Sequence, residues 1–275
     1  MEHATELIIE AGQTERNYWC DLYRYRELFY FLAWRDVLVR YKQTVIGILW
    51  AVLRPLLTMA VFTFVFSRIA KLPADGVPYP VMVFAAMLPW QLFATSLSEG
   101  SGSLIGNANL ISKVYFPRLI VPASAVIVSF VDFAISMVLL GVLMAIYRVW
   151  PGWPILMLPV FTALALLASA GAGIWLAALN VKYRDFRYVV PFIVQFGLYL
   201  SPVGFSSNIV PEQWRFVYAL NPMVGVIDGF RWSVSGGRTA FPALSLEVAI
   251  VTSLLVLATG IWYFRKTERT FADVI

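Results

Sequence analysis

Reactive side chains are scarce in this sequence. Its 275 residues include one histidine, His3, and one cysteine, Cys20. A single cysteine cannot form an internal disulfide, so Cys20 is most simply a packing residue. No group of His, Cys and carboxylate residues has the spacing of metal ligands, and His3 is the sole candidate base for a Ser/His/Asp set. The sequence therefore predicts no catalytic site and no metal site.

A phosphate-binding loop is also missing. No segment matches G-x-x-x-x-G-K-[ST], so the chain cannot hold ATP in the usual way. Proton-driven transport normally needs carboxylates or histidines deep in membrane spans, and only Asp132 clearly qualifies. We therefore predict no cofactor on this chain, and we expect the energy for any uphill transport to come from a separate subunit.

Charged residues make up only 13% of the chain, whereas 60% of the residues are hydrophobic. Soluble domains carry about 25% charged residues, and apolar runs of about 18 residues or more are typical of bilayer spans. The sequence thus predicts an all-α integral membrane protein with six transmembrane helices. Their expected positions are residues 44–66, 80–97, 119–147, 153–179, 189–205 and 244–264.

The basic residues predict the orientation. Two thirds of the 21 Lys and Arg residues fall on one side of the six spans, so both termini are expected in the cytoplasm. Residues 1–43 then form a cytoplasmic N-terminal segment, 44–264 the transmembrane domain and 265–275 a cytoplasmic tail. Because these basic residues lie in short loops between apolar runs, the net charge of +5 indicates membrane lipids rather than nucleic acid as the partner.

Two further segments have their own predicted structure. Residues 18–42 mix Tyr, Trp and Phe with Arg, which favours a helix lying at the cytoplasmic interface. Residues 206–242 form the largest external stretch yet contain many apolar residues. Short helices that re-enter the outer leaflet between spans five and six would explain this composition, since non-helical backbone at that depth must be buried.

Four segments of the chain form a series of motifs. They are Arg35-Asp36 with Arg40-Tyr41-Lys42-Gln43-Thr44, Gly47, Trp50 and Pro55; Asn109 to Arg118 with Pro122; Asn180 to Asp185 with Pro191; and Leu220-Asn221-Pro222-Met223 with Phe230-Arg231. Together these segments resemble one family, the ABC-2 type permeases that export O-antigen, capsule and teichoic acid. They stand in the same order as the family's entry to span one, its two cytoplasmic links and its external gate region.

The resemblance implies an assembly and a substrate. Two copies of the permease would pair with two ATPase subunits that hold ATP and Mg²⁺, and a lipid-linked polysaccharide would pass outward between the two permeases. An exporter of drugs or small lipids is the alternative within the same fold. A membrane enzyme is disfavoured by the lack of histidine, and a stand-alone channel would be excluded by a neighbouring ATPase gene.

The cytoplasmic motifs would suit docking of the ATPase subunits, because short helices fixed by prolines can transmit a push. The alternative is that these residues only set topology and touch anionic headgroups. At the opposite side the resemblance predicts an external gate. The coupling candidates are Asp36, Arg40, Lys42, Lys113, Arg118, Tyr183, Arg184 and Asp185, and the gate candidates are Asn221, Pro222 and Arg231.

Arg54 lies ten residues into the first predicted span, where a charge is costly and should face protein or water. It could pair with Asp132 in span three, meet the phosphates of a lipid carrier, or extend to the cytoplasmic interface. Both residues are candidates for the translocation path. Aromatic rings could line the same path by packing against sugar faces, although most membrane aromatics pack or lie at interfaces. The candidates are Trp50, Phe62, Phe64, Trp90, Phe93, Phe196 and Tyr199.

Overall fold

The computed structural model describes residues 18–42, 47–73 and 76–271, and within them every regular element is a helix. The predicted first residues of span one, at 44–46, and the ends of both cytoplasmic segments lie outside these ranges. The described residues form eleven α-helices: α1 Tyr18–Arg24, α2 Arg26–Lys42, α3 Gly47–Thr63, α4 Tyr79–Gly106, α5 Ala108–Lys113, α6 Ile120–Ile146, α7 Leu158–Lys182, α8 Phe186–Leu200, α9 Glu212–Ala219, α10 Pro222–Val234 and α11 Ala243–Thr267.

Five helical segments are long and apolar enough to cross a membrane, which confirms the all-α membrane class. They contain α3 with its π-helical extension Phe64–Ile69, α4, α6, α7 with the preceding 3-10 turn Trp153–Met157, and α11. The fifth predicted span, at 189–205, corresponds to α8, which is apolar but has only 15 residues. That length covers about 22 Å, less than the roughly 30 Å of the hydrocarbon core.

Helix α4 continues through the Gly- and Ser-rich residues 98–106, beyond the predicted end of the second span at residue 97. Tertiary packing explains the difference. Gly100 lies against the backbone of Gly173 in α7, and a Cβ at position 100 would be 3.6 Å from the Gly173 Cα. In addition, the Asn180 side-chain amide donates a 3.0 Å hydrogen bond to the Ser101 carbonyl. Small residues therefore stabilise close helix contact here instead of ending the helix.

Helix α4 is the centre of the bundle, and α3, α6, α7, α8 and α10 all pack against it. Its residues Val81, Val83 and Phe84 are fully buried. Helix α11 packs on the far side of α7, where the backbones approach so closely that a Cβ at Gly171 would lie 2.6 Å from the Leu257 Cα. Helix α8, by contrast, keeps most of its residues exposed, and residues 49–63 of α3 include only one buried residue, Pro55.

The bundle has two distinct ends. At one end α4, α7 and α11 finish and α6 and α8 begin, and we call it the basic end because it carries Lys113, Lys182, Arg184 and Lys266. Helix α2 reaches this end too, since the Arg35 guanidinium donates a 2.9 Å hydrogen bond to the Asn107 side chain beyond α4.

The opposite end, which we call the gate end, holds α9 and α10. Helix α10 is buried among the spans rather than lying on their surface. Its Phe230 is fully buried, with its ring 6.2 Å from that of Phe133 in α6 and 6.4 Å from that of Phe161 in α7. The short helices predicted between the fifth and sixth apolar segments are therefore present, and α10 is part of the core.

Candidate functional site

A charged cluster connects α2 to the bundle near the basic end. One Arg40 guanidinium nitrogen lies 2.8 Å from the Asp132 carboxylate of α6, and another lies 3.2 Å from the Glu99 carboxylate of α4. The Tyr41 hydroxyl donates a short hydrogen bond to Asp132. We call Arg40, Tyr41, Glu99 and Asp132 the Arg40 cluster. One arginine thus holds three helices together, which makes the cluster sensitive to any movement of α2.

The position of the Arg40 cluster follows from the length of α4. Glu99 comes about 20 positions after the first residue of that helix, Tyr79, and this distance corresponds to roughly 30 Å. The cluster therefore lies about one hydrocarbon thickness from the gate end of α4. Burial and the hydrogen bond to Asp132 raise the pKa of Tyr41, so its hydroxyl stays protonated and remains a donor at neutral pH.

The predicted pairing of Arg54 with Asp132 is wrong. Asp132 is already bound by Arg40 and Tyr41, because α2 packs along α6 and brings both residues to that carboxylate. Arg54 lies exposed on α3, and among the described residues no carboxylate pairs with it. Contact with carrier phosphates and extension to the interface stay as the two remaining predictions for Arg54.

The predicted coupling residues differ in what they contact. Arg40 and Arg118 are engaged within the chain: the Arg118 amide donates a 2.7 Å hydrogen bond to Glu268, and its side chain bonds the Glu268 carbonyl. Asp36 accepts hydrogen bonds from the neighbouring Arg35. The rest form an exposed set, which we call the basic-end surface: Lys42, Lys113, Tyr183, Arg184 and Asp185.

The predicted aromatic path residues also divide into two groups. Trp90 is 5% exposed and lies against Gly197 of α8, so it is a core residue. Phe62 and Phe93 are partly buried against the same core. The others are between 50% and 63% exposed: Trp50 on α3, Phe64 on its π-helical extension, and Phe196 and Tyr199 on α8.

The π-helical extension of α3 and the turn after α8 meet at the gate end. The Phe66 ring lies against Gly204 in the turn after α8, where a Cβ would be 2.4 Å from the ring. On α8 the Phe192 and Phe196 rings lie 4.1 Å apart. Helices α3 and α8 both pack on α4, yet most of their aromatic surface has no cover within the chain. This surface must be covered by lipid, by a second protein chain or by a transported molecule.

The predicted gate residues hold the turn that follows α8. The Arg231 guanidinium is buried and donates to the carbonyls of Phe205, at 2.6 Å, and Val203, at 3.0 Å. Asn221 caps α10, accepting from the Met223 amide, and its amide nitrogen donates to the Ser201 hydroxyl at 3.0 Å. Pro222 occupies the first turn of α10, where its missing N–H costs nothing. We call these contacts the turn clamp.

Sequence reasoning missed three residues of these sites. Tyr41 and Glu99 belong to the Arg40 cluster, and the Tyr79 hydroxyl donates a 2.6 Å hydrogen bond to the Gly204 carbonyl in the turn clamp. The sequence did contain an indication for Glu99, because this carboxylate comes directly after an apolar run. Tyr79 carried no such signal, because its partner lies 125 positions away.

Comparison with known proteins identifies the family. The model of the ABC-2 type transporter family matches residues 27–234, which run from α2 through α10 and include both the Arg40 cluster and the turn clamp. The chain belongs to the ABC-2 type transporter family. As an ABC-2 chain it is a transmembrane permease component and not an enzyme, and it is a multi-pass protein of the bacterial inner membrane.

Individual ABC-2 relatives extend over nearly the whole chain. The O-antigen export system permease protein RfbA of Myxococcus xanthus is 32% identical over 93% of this chain and 98% of its own length. A protein of the same description from Klebsiella pneumoniae is 26% identical over 90% of this chain and 95% of its own. The polysialic acid transport protein KpsM of Escherichia coli is 20% identical over 85% and 91% respectively.

Proposed function

We propose that this chain is the permease subunit of an ATP-driven exporter that moves a lipid-linked, O-antigen-like polysaccharide from the cytoplasm to the outer face of the inner membrane. The observation that carries this proposal is the near full-length similarity to a permease named for O-antigen export. Two relatives named for O-antigen or polysialic acid transport, from other bacteria, support the same substrate class. An exporter of drugs or small lipids is the alternative.

The proposed topology has six crossings with both termini in the cytoplasm. Helix α8 would make the fifth crossing together with the turn that follows it, and the basic end would face the cytoplasm. The excess of Lys and Arg residues at that end supports this orientation. The gate end, with α9 and α10, would then face outward.

The proposed path lies between two copies of this chain, along the aromatic surfaces of α3 and α8. Those two helices leave Trp50, Phe64, Phe196 and Tyr199 uncovered within one chain. Flat aromatic faces hold successive ligand units without fixed hydrogen bonds, as they do for bases of single strands. A sugar polymer could therefore slide along them. Arg54, exposed on α3, would reach carrier phosphates in the same path.

Two ATPase subunits, which hold ATP and Mg²⁺, are proposed to dock on the basic-end surface. Its exposed side chains lie on the last residues of α2 and α5 and between α7 and α8, so that a push there reaches several helices. The Arg40 cluster gives α2 a rigid connection to α4 and α6. Movement of α2 would thus be transmitted to α6 through Asp132.

Deleting the gene in its source cell tests the export function. We expect long-chain polysaccharide to disappear from the surface fraction and to accumulate inside, because the polymer is made but has no route outward. The measurement is gel separation of surface-extracted and intracellular polysaccharide, with the wild-type gene on a plasmid as the control. Unchanged surface polysaccharide, in a cell with no second copy of the gene, would favour the small-molecule alternative.

Crosslinking tests the proposed pairing of two chains. In a Cys20→Ser background, Phe196→Cys on α8 should be joined to its counterpart by a short bismaleimide, giving a band at twice 30.9 kDa. The matched control is Leu255→Cys, an equally exposed apolar position on α11. A doubled band from the α11 variant alone would place the contact between copies on the opposite side of the bundle.

A further inference from the structure

A cavity of about 290 Å³ with both polar and apolar lining lies at the gate end, separate from the exposed aromatic surfaces. It is open on one side and lined by residues 206–208, α9, α10, residues 239–242 and the start of α11. Its lining combines hydroxyls, a carboxylate and one aromatic ring, from Ser206, Tyr218, Asp228, Thr239 and Phe241. The volume lies just below the roughly 300–1,000 Å³ of sites for drug-sized ligands, so it suits a single small unit.

The cations in the cavity wall are already engaged by protein oxygens. Arg231 donates from two nitrogens to the carbonyls of Val203 and Phe205. Arg215 donates to the Val210 carbonyl at 3.4 Å and lies 3.5 Å from the Glu212 carboxylate. With Asp228 also in the wall, an anion such as phosphate would find little uncompensated positive charge. The chemistry of the cavity therefore favours a neutral, hydroxyl-rich ligand.

Tyr218 supplies an independent indication that a polar ligand belongs here. Its hydroxyl oxygen is enclosed, and within the described part of the chain it has no hydrogen-bond partner. A buried hydroxyl without a partner is costly. Burial and the nearby Asp228 raise the pKa of Tyr218, so the group stays a neutral hydroxyl that can both donate and accept.

We infer that this cavity binds one neutral sugar residue of the exported polymer at the outer side of the membrane. The Asp228 carboxylate would bond the sugar hydroxyls, and the half-exposed Phe241 ring would pack against a C–H face. The Tyr218 hydroxyl, which neighbouring residues enclose, would join them once its side chain turns toward the cavity. The inference rests on the proposed function. The cavity is near the proposed path, because Ser206 directly follows the clamped turn that touches Phe66 of the α3 extension.

Binding of a lipid-free oligosaccharide measures this site directly. The probe is the repeating unit released from the source cell's own surface polysaccharide. The receptor is the permease with its ATPase partner in nanodiscs, and titration is followed by saturation-transfer NMR. Tyr218→Phe removes one oxygen that has no partner in the described chain, so a purely structural role predicts unchanged thermal stability. Loss of a hydrogen bond to the sugar predicts about fivefold weaker binding.

Two further variants sharpen the test. Ala240→Trp, from an exposed position in the cavity wall, should fill the cavity and abolish binding without removing a polar atom. Tyr147→Phe makes the same chemical change as Tyr218→Phe at an exposed site just after α6, at the gate end, and should bind like the wild type. Each variant's thermal midpoint is measured alongside to exclude misfolding.

The outcomes separate this inference from the proposed function. Weaker binding in Tyr218→Phe and none in Ala240→Trp, with wild-type binding in Tyr147→Phe, would support the site. Equal binding in all variants, or no binding to the wild type, would overturn it. If gene deletion removes surface polysaccharide while the probe does not bind, the export function stands and only the sugar site fails. If surface polysaccharide is unchanged after the gene is deleted, the proposed export function itself is contradicted.

Discussion

Reversing the charge of Arg40 is expected to reduce surface polysaccharide by about tenfold or more, because Arg40→Glu would bring three carboxylates together. The side chain of Asp132 is only 24% exposed. The Arg40–Asp132 ion pair is thus intermediate in burial. An exposed ion pair contributes up to about 1 kcal/mol, whereas breaking a buried one costs about 3–5 kcal/mol. Repulsion should detach the end of α2 from α4 and α6 and interrupt the proposed connection to the ATPase subunits.

The measurement for Arg40 is the gel of surface-extracted polysaccharide, with the amount of permease in the membrane checked by immunoblot. Arg187→Glu is the matched control, because Arg187 is exposed in the first turn of α8, at the basic end, and the charge change is identical. Combining Arg40→Glu with Asp132→Arg restores opposite charges and should recover part of the export. Wild-type export in the single Arg40→Glu variant would show that the cluster is not needed.

Replacing Arg231 by methionine is expected to destabilise the whole protein. The change keeps an apolar stem of similar length but removes the two hydrogen bonds to the Val203 and Phe205 carbonyls. Arg231 is only 4% exposed, so water cannot readily replace it at those two carbonyls. An unsatisfied buried acceptor costs about 1–3 kcal/mol. We therefore expect the thermal midpoint to fall by several °C and the amount of folded protein to decrease.

Thermal unfolding of the purified protein in detergent measures the Arg231 effect. The matched control is Arg238→Met, since Arg238 is exposed at the same end and makes one 3.3 Å hydrogen bond to the Gly76 carbonyl. Its midpoint should stay close to that of the wild type. Equal midpoints for the two variants would mean that the turn after α8 is held without Arg231.

Apolar runs predicted the long helices well because lipid-facing segments must satisfy their backbone internally. The predicted third span at 119–147 corresponds to α6, Ile120–Ile146, and the sixth at 244–264 lies within α11, Ala243–Thr267. The extension of α4 to Gly106 was not predicted. Glycine and serine weaken a helix by local propensity, but close packing on α7 overrides that preference.

The candidate site was harder to predict from the sequence than the helices were. The residues of the Arg40 cluster come from three helices, and Tyr41 and Asp132 are 91 positions apart. Charge and hydropathy predicted a cationic partner for Asp132. Among the basic residues, Arg54 had the most similar predicted depth in the membrane. The packing of α2 on α6 selects Arg40 instead. Hydropathy could not predict this choice, because it gives depth along a span but not which helices lie side by side.

By itself, the sequence determined the membrane class, the helical architecture, the absence of a phosphate-binding loop for ATP, and the resemblance that the family match confirmed. These properties follow from local composition and short motifs, which the bilayer constrains one segment at a time. Tertiary structure alone decided that Arg40 binds Asp132, that Trp90 is buried under Gly197, and that Arg231 clamps the turn after α8. Those contacts depend on how the helices tilt and pack, because a hydrogen bond tolerates only a few tenths of an ångström.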